Sequence, residues 1–297
     1  MKKAAFVLFA ITLTLNSYSQ SKALTDSVNN WHKKRIDYLK RDNGWLNLEG
    51  LFWLHKGVNT FGSAAGADCH YVNASFPEQL GSFIYEGDSV VWKNASANTI
   101  TINKKTTVKE EAYKVFSAGA SYSDQVMDYG QFSWVIIKRE DKVGVRFRNL
   151  KANTLLNFKG IERFPVNDNW KLKARLVQPA QDFLMITNVL GQTTASKNAG
   201  TLHFQKDGVD YTLDVIDEGG PTLFIVFADQ TSGVSTYGAG RFIDVPKPDK
   251  DGNTEIDFNI AYNPPCAFTA FATCPLPPKQ NRLALKIEAG EKNYGHH

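Results

Sequence analysis

From Trp45 onward the chain is written in short runs of Val, Ile, Thr, Phe, Tyr and Trp, each cut off by Gly, Asn, Asp or Pro. β-Branched and aromatic side chains suit a pleated, half-buried surface, and the interrupting residues supply the backbone for chain reversal. The runs predict strands at 45–53, 81–85, 89–92, 99–102, 132–139, 142–148, 172–177, 183–188, 200–205, 209–215, 222–228 and 283–288. Glu86-Gly87-Asp88 and Lys206-Asp207-Gly208 sit between runs at hairpin spacing. With no helical patterns between them to serve as crossovers, such strands pair antiparallel. The predicted fold class is therefore mainly β: antiparallel sandwich or barrel units behind one N-terminal amphipathic helix. That helix is read at 24–41, where Leu24, Val28, Trp31, Tyr38 and Leu39 recur at helical spacing, Thr25 or Asp26 can cap the start, and Gly44 follows the end. No internal repeat argues for a propeller or solenoid.

The first residues read as an address rather than as structure. Lys2 and Lys3 precede an apolar stretch from Ala4 to Leu15, followed by small residues at Ser17 and Ser19. This is the pattern of a secretory signal peptide ending at residue 19, and the stretch falls short of the roughly twenty residues that a membrane span takes. Its removal takes two lysines and halves the formal charge of +4. The expected location is periplasmic or secreted, with no lipobox cysteine and no integral membrane segment after cleavage. No polybasic run exceeds Lys33, Lys34 and Arg35, so nucleic acid is not an expected partner. The expected organisation is a signal peptide over 1–19, a helix over 20–44, a β-sandwich unit over 45–160 and a C-terminal β unit over 161–297, divided near the turn cluster Phe164-Pro165-Val166-Asn167-Asp168-Asn169. The strand rhythm of the first unit, with Phe61-Gly62-Ser63 near its start, resembles a forkhead-associated-type sandwich, but the phosphopeptide-reading Arg and Ser-x-x-His are not evident.

Motif scans find no phosphate loop, zinc helix, nucleophile elbow or Ser-x-x-Lys pair. Gly238-Ala239-Gly240 starts like a dinucleotide fingerprint, yet Ile243 takes the place of the third glycine. No cofactor is expected. Nor is a metal: His203 and His296 are remote from the cysteines, and no Cys-x-x-Cys is present. His296 and His297 end the chain, and the sequence leaves open whether they are native.

Polar chemistry gathers instead between Asp229 and Glu291, at strand ends and in Pro/Gly loops. Arg241 stands out, because its planar fork can clamp an anionic group in a bidentate way, with glycines just before it to allow close approach. The alternative is an internal ion pair with Asp229 or Asp257. Tyr237 and Tyr262 are read either as pocket walls or as core residues with satisfied hydroxyls, and Asn259 and Asn263 either as ligand contacts or as turn-capping residues. Asp257 and Glu291 are candidate general bases and Cys266 a candidate nucleophile, the last needing a nearby histidine. In an oxidising compartment Cys266 and Cys274 could close a disulfide, leaving Cys69 as the odd thiol.

The run Thr236-Tyr237-Gly238-Ala239-Gly240-Arg241-Phe242, then Asp257-Phe258-Asn259 through Tyr262-Asn263-Pro264-Pro265-Cys266, then Cys274-Pro275-Leu276-Pro277-Pro278 and Ala289-Gly290-Glu291, resembles the bacterial domain-of-unknown-function family 1684. Upstream, Gly44-Trp45-Leu46 and Gly50-Leu51-Phe52-Trp53-Leu54 look like the start of the same family, so the resemblance spans about 35–294. It carries no activity with it, though it implies a shared pocket in the C-terminal unit. Many members lack export signals, which implies thiols rather than a disulfide at Cys266 and Cys274. The leading expectation is an exported protein that binds a small polar or anionic ligand, a sugar or cell-wall fragment, through Asp229, Tyr237, Arg241, Asp257, Asn259, Tyr262 and Asn263. The alternatives are a hydrolase using the same pocket and an envelope scaffold or interaction module, with the oligomeric state left open.

Overall fold

The computed structural model describes residues 22–95, 98–108, 112–117 and 119–295. The predicted signal peptide, His296 and His297 lie outside the described residues. The chain is mainly β, and it divides into two compact units, one of Leu39–Phe158 with Thr269–Ala272, the other of Lys159–Phe268 and the chain from Thr273, together with the chain up to Tyr38.

In the first unit, β1 (Leu48–Trp53), β2 (Gly57–Gly62), β3 (Cys69–His70), β4 (Gly81–Glu86), β5 (Ser89–Asn94), β6 (Ile100–Ile102), β7 (Thr106–Val108), β8 (Ala112–Phe116), β9 (Met127–Tyr129), β10 (Phe132–Arg139) and β11 (Lys142–Asn149) form two sheets. The orders are β1-β11-β10-β9-β6-β7 and β3-β2-β4-β5-β8. Pairing is antiparallel except between β2 and β3, where Phe61 lies beside Cys69 and Gly62 beside His70 in parallel. Alternation along β4 (Gly81, Phe83 and Tyr85 buried) and β5 (Val90, Trp92 and Asn94 buried) sends every second side chain into the core. Phe61 stands at its centre, with ring centroids of Phe76, Phe83, Trp134 and Phe147 at 5.1, 5.4, 5.4 and 5.5 Å. Tilted and edge-on packing of this kind adds to the area that the rings bury.

In the second unit, β12 (Lys171–Val177), β13 (Phe183–Thr187), β14 (Thr193–Lys206), β15 (Val209–Ile216), β16 (Thr222–Phe227), β17 (Arg241–Pro246) and β18 (Asn253–Asp257) form one antiparallel sheet, in the order β17-β16-β15-β14-β12-β18 with β13 paired to β14. β18 returns beside β17, where Thr254 Oγ1 donates to Pro246 O at 2.9 Å, so the sheet nearly closes into a barrel. Leu202, Leu213, Val215, Ile225, Phe227, Ile243, Val245 and Phe258 fill its interior. β14 is the longest strand because it serves different partners in turn: β13 over 193–197, then β15 and β12, with a register shift between Asn198 and Gly200.

A helix, α1, occupies residues 22–39. Val28 on its inner face is buried, and in the second unit Trp31 packs on the Tyr262 ring at 5.8 Å. Two expectations about strands need correction. Residues 283–288 do not form a strand, because Arg241 takes the carbonyl of Ile287 and Asp229 takes its N–H, groups that a sheet partner would otherwise need. Conversely β2, β3, β7, β8, β9, β17 and β18 were not among the predicted strands; in the second unit β17 opens on an arginine and β18, Asn253-Thr254-Glu255-Ile256-Asp257, is mostly polar.

Candidate functional site

The loop after β16 and the start of β17 place Arg241. Gly240 allows this: its φ is +94°, and a Cβ there would stand 2.5 Å from Phe227 O and 2.6 Å from Pro277 Cγ. The close approach that its neighbouring glycines suggested is thus to the Phe227 backbone and the Pro277 ring. Arg241 is 0% exposed, with its guanidinium 5.3 Å from the Phe227 ring centroid. Nη2 donates to Asp229 Oδ2 at 2.8 Å and to Ile287 O at 3.1 Å, while Nη1 donates to Ala289 O and Glu291 O. The other Asp229 oxygen accepts from Thr231 N, Thr231 Oγ1 and Ile287 N at 2.8, 2.6 and 3.2 Å. Burial pulls the Arg241 pKa down and the Asp229 charge opposes it. The pair laces the loop after β16 to the segment 287–291.

The remaining candidates fall into three further sets. Glu291 accepts from Asn263 N at 2.7 Å and lies 3.5 Å from Arg35 Nε, while Arg35 Nη2 donates to Asn263 O at 2.8 Å. Arg35 also covers the Tyr262 ring at 4.7 Å, and Tyr262 donates its hydroxyl to Asp244 Oδ2 at 2.9 Å. Burial pushes the Glu291 and Asp244 carboxyls above the usual carboxylate range, against the Arg35 charge in the first and the Tyr262 hydrogen bond in the second. Asp257 caps the turn that follows β18, accepting from Asn259 N and Nδ2 at 3.0 and 2.8 Å, and Asn259 pairs with the Asn167 backbone. Burial raises the Asp257 pKa. Finally, Tyr237 lies near Cys266 and Cys274. These two cysteines are not bonded to each other, but Cys266 N–H donates to Cys274 Sγ at 3.1 Å. The Cys274 hydrogen bond holds the Cys266 thiol below its usual pKa, against the effect of burial.

An open groove of about 600 Å³ lies in the same unit, and none of the sequence-predicted site residues lines it. One wall is β13, whose alternation buries Leu184 and Ile186 and leaves Phe183 56% and Met185 61% exposed. The other is the extended stretch Leu276-Pro277-Pro278 and the residues after it to Arg282. Leu276 N donates to Thr187 O at 2.8 Å, and buried Asn281 donates Nδ2 to the carbonyls of Asp214 and Val226 at 2.9 and 3.0 Å, which attaches this wall to β13, β15 and β16. Lys279 and Arg282 stand on its rim, both exposed, and its lining contains no carboxylate. Reading the sequence alone missed Phe183, Met185, Lys279 and Arg282. The usable signal was the run Phe183-Leu184-Met185-Ile186, apolar on both faces of a strand. Among the described residues no group of three or more His, Cys, Asp or Glu gathers to hold a metal.

A family model matches the chain from Leu156 to Lys292. That model describes a protein of unknown function, DUF1684, and its match covers somewhat under half of the chain. The DUF1684 stretch contains the groove and every member of the four sets except Arg35, while the motifs at 44–54 and 61–63 lie upstream of it. No curated protein matches the chain. Among solved structures, the solution structure of an uncharacterized protein from Haloarcula marismortui is 29% identical over 48% of this chain and 80% of its own, with a TM-score of 0.40.

Proposed function

We propose that the DUF1684 stretch binds a small anionic ligand with a ring or other apolar body, of the sugar or cell-wall-fragment class, in the groove between β13 and the proline-rich wall. One observation carries this: two cations, Lys279 and Arg282, lie on a cavity of about 600 Å³ whose mixed lining also presents Phe183, Met185, Leu276 and Pro277 and has no acid. Ligand sites combine an apolar lining with a few charges that fix orientation, and Arg suits planar oxyanions. A second cavity, of about 360 Å³ in the first unit, offers less: there Lys104 is paired with Asp42 at 2.9 Å and Arg148 donates to the carbonyls of Asn43 and Gly44. The four buried sets act in this reading as the frame that holds the groove walls. Export follows from the pattern of Lys2, Lys3 and the apolar stretch after them, and is tested by fractionating cells that express the full chain.

The binding test uses two probes that differ by one O-lactyl group, which carries a carboxylate. In calorimetric titration, N-acetylmuramic acid should bind about tenfold or more tightly than N-acetylglucosamine, a difference of about 1.4 kcal/mol. Equal affinities would remove the anionic reading.

The exposure of Phe183, Met185, Val189 and Leu190 along β13 and its turn favours one other reading, an interaction module that docks through this edge. Light scattering separates the two. Self-association that F183S/M185S abolishes, without muramic acid binding, supports the module.

A further inference from the structure

Cys266 lies in the turn Pro265–Ala267, partly exposed, and Cys274 is 5% exposed on the strand-like stretch leading into the groove wall. The Cys266 N–H to Cys274 Sγ contact at 3.1 Å puts the second sulfur against the backbone of the first residue. Cys274 also anchors the wall itself: its carbonyl accepts from Val189 N at 3.0 Å, beside the Leu276 to Thr187 hydrogen bond that ties the wall to the end of β13. An accessible sulfur next to a buried one is the division of labour that thiol–disulfide exchange needs, one to attack and one to resolve. The lowered pKa of Cys266 is in the direction that favours attack. Cys69, in the other unit, supplies the contrast, because burial pushes its thiol up to about 12.

We propose that Cys266 and Cys274 form a dithiol site whose oxidation by a small disulfide locks the proline-rich wall of the groove. The Cys266 thiolate attacks one sulfur of the oxidant, forming a mixed disulfide and releasing one thiolate. Cys274, as thiolate after losing its proton to water, then attacks Cys266 Sγ and expels the second thiol. The protein loses two electrons and two protons, and the oxidant disulfide is reduced to two thiols. The consequence for binding rests on the ligand reading above: a wall fixed in advance costs less to order, so the oxidised form should bind N-acetylmuramic acid severalfold more tightly.

The test incubates the reduced full chain with glutathione disulfide and reads intact mass and thiol titre. The wild type should lose two of its three thiols and end without attached glutathione. C274S should hold glutathione on Cys266, C266S should take up none, and peptide mapping should find Cys69 reduced throughout. A wild type that keeps all three thiols, ends with glutathione on Cys266, or oxidises through Cys69 overturns the dithiol site, and the wild-type result stands even if a variant fails to fold. Titrating both redox forms with N-acetylmuramic acid is read separately. A disulfide with no binding in either form supports the dithiol and removes the ligand reading, whereas equal binding in both forms overturns the locking role.

Discussion

Arg241 Nη2 stands 2.8 Å from Asp229 Oδ2, with both side chains at 0–1% exposure. Neither charge can hydrate if the other is lost. Removing one partner of such a pair costs about 3–5 kcal/mol, because a buried charge is left uncompensated. D229A and R241M should each lower stability by about that amount in urea unfolding. The double variant D229A/R241M should lose less than the sum, with a coupling of about 1–3 kcal/mol. Additive losses would mean that the two residues act independently.

Asp244 gives a pH prediction. Its carboxyl is raised above the ordinary value, first by burial, with the Tyr262 hydrogen bond and Arg35 opposing. A group whose folded pKa lies above its unfolded one favours the fold most when protonated. Its contribution is therefore complete below the unfolded value of 3.8 and is lost as pH rises through the folded pKa. D244N keeps an acceptor for the Tyr262 hydroxyl and carries no charge to desolvate. Thermal melts of the wild type and D244N should differ little in acid, with D244N gaining as pH rises toward neutrality. A D244N curve parallel to the wild type across this range would refute the assignment.

Two glycines two positions apart should respond differently to alanine. At Gly240 the backbone is left-handed and a Cβ would meet Phe227 O at 2.5 Å, whereas at Gly238 the nearest atom would be 3.6 Å away. G240A should lose more than about 1 kcal/mol and G238A should stay within about 0.5 kcal/mol. Denaturant midpoints check both, and equal losses would contradict the close approach at Gly240.

The fold was largely legible because alternation and turn residues dominate its sequence, as along Phe132–Arg139 and Lys142–Asn149. Helix α1 showed in the spacing of Val28 and Trp31. β18 was hidden because its polar side chains face outward while Ile256 alone is fully buried. The segment 283–288 misled in the opposite sense, since Leu283, Leu285 and Ile287 alternate like a strand but their apolar side chains pack beneath a backbone held by Arg241 and Asp229. The sequence singled out Arg241 and named Asp229 as a partner, and it grouped Cys266 with Cys274. It did not show the groove, because Phe183 and Lys279 are far apart in the chain and are brought together by the Leu276 to Thr187 and Val189 to Cys274 hydrogen bonds.

Lys279 and Arg282 have no hydrogen bond or ion pair from their side chains to another described residue, so replacing them should leave the fold within about 0.5 kcal/mol of the wild type. Calorimetric titration of K279Q/R282Q with N-acetylmuramic acid is thus the most direct test that the groove holds an anion. Affinity should fall about tenfold or more, while any binding of N-acetylglucosamine and the unfolding midpoint stay as in the wild type. Unchanged affinity for N-acetylmuramic acid in a folded K279Q/R282Q variant would contradict it.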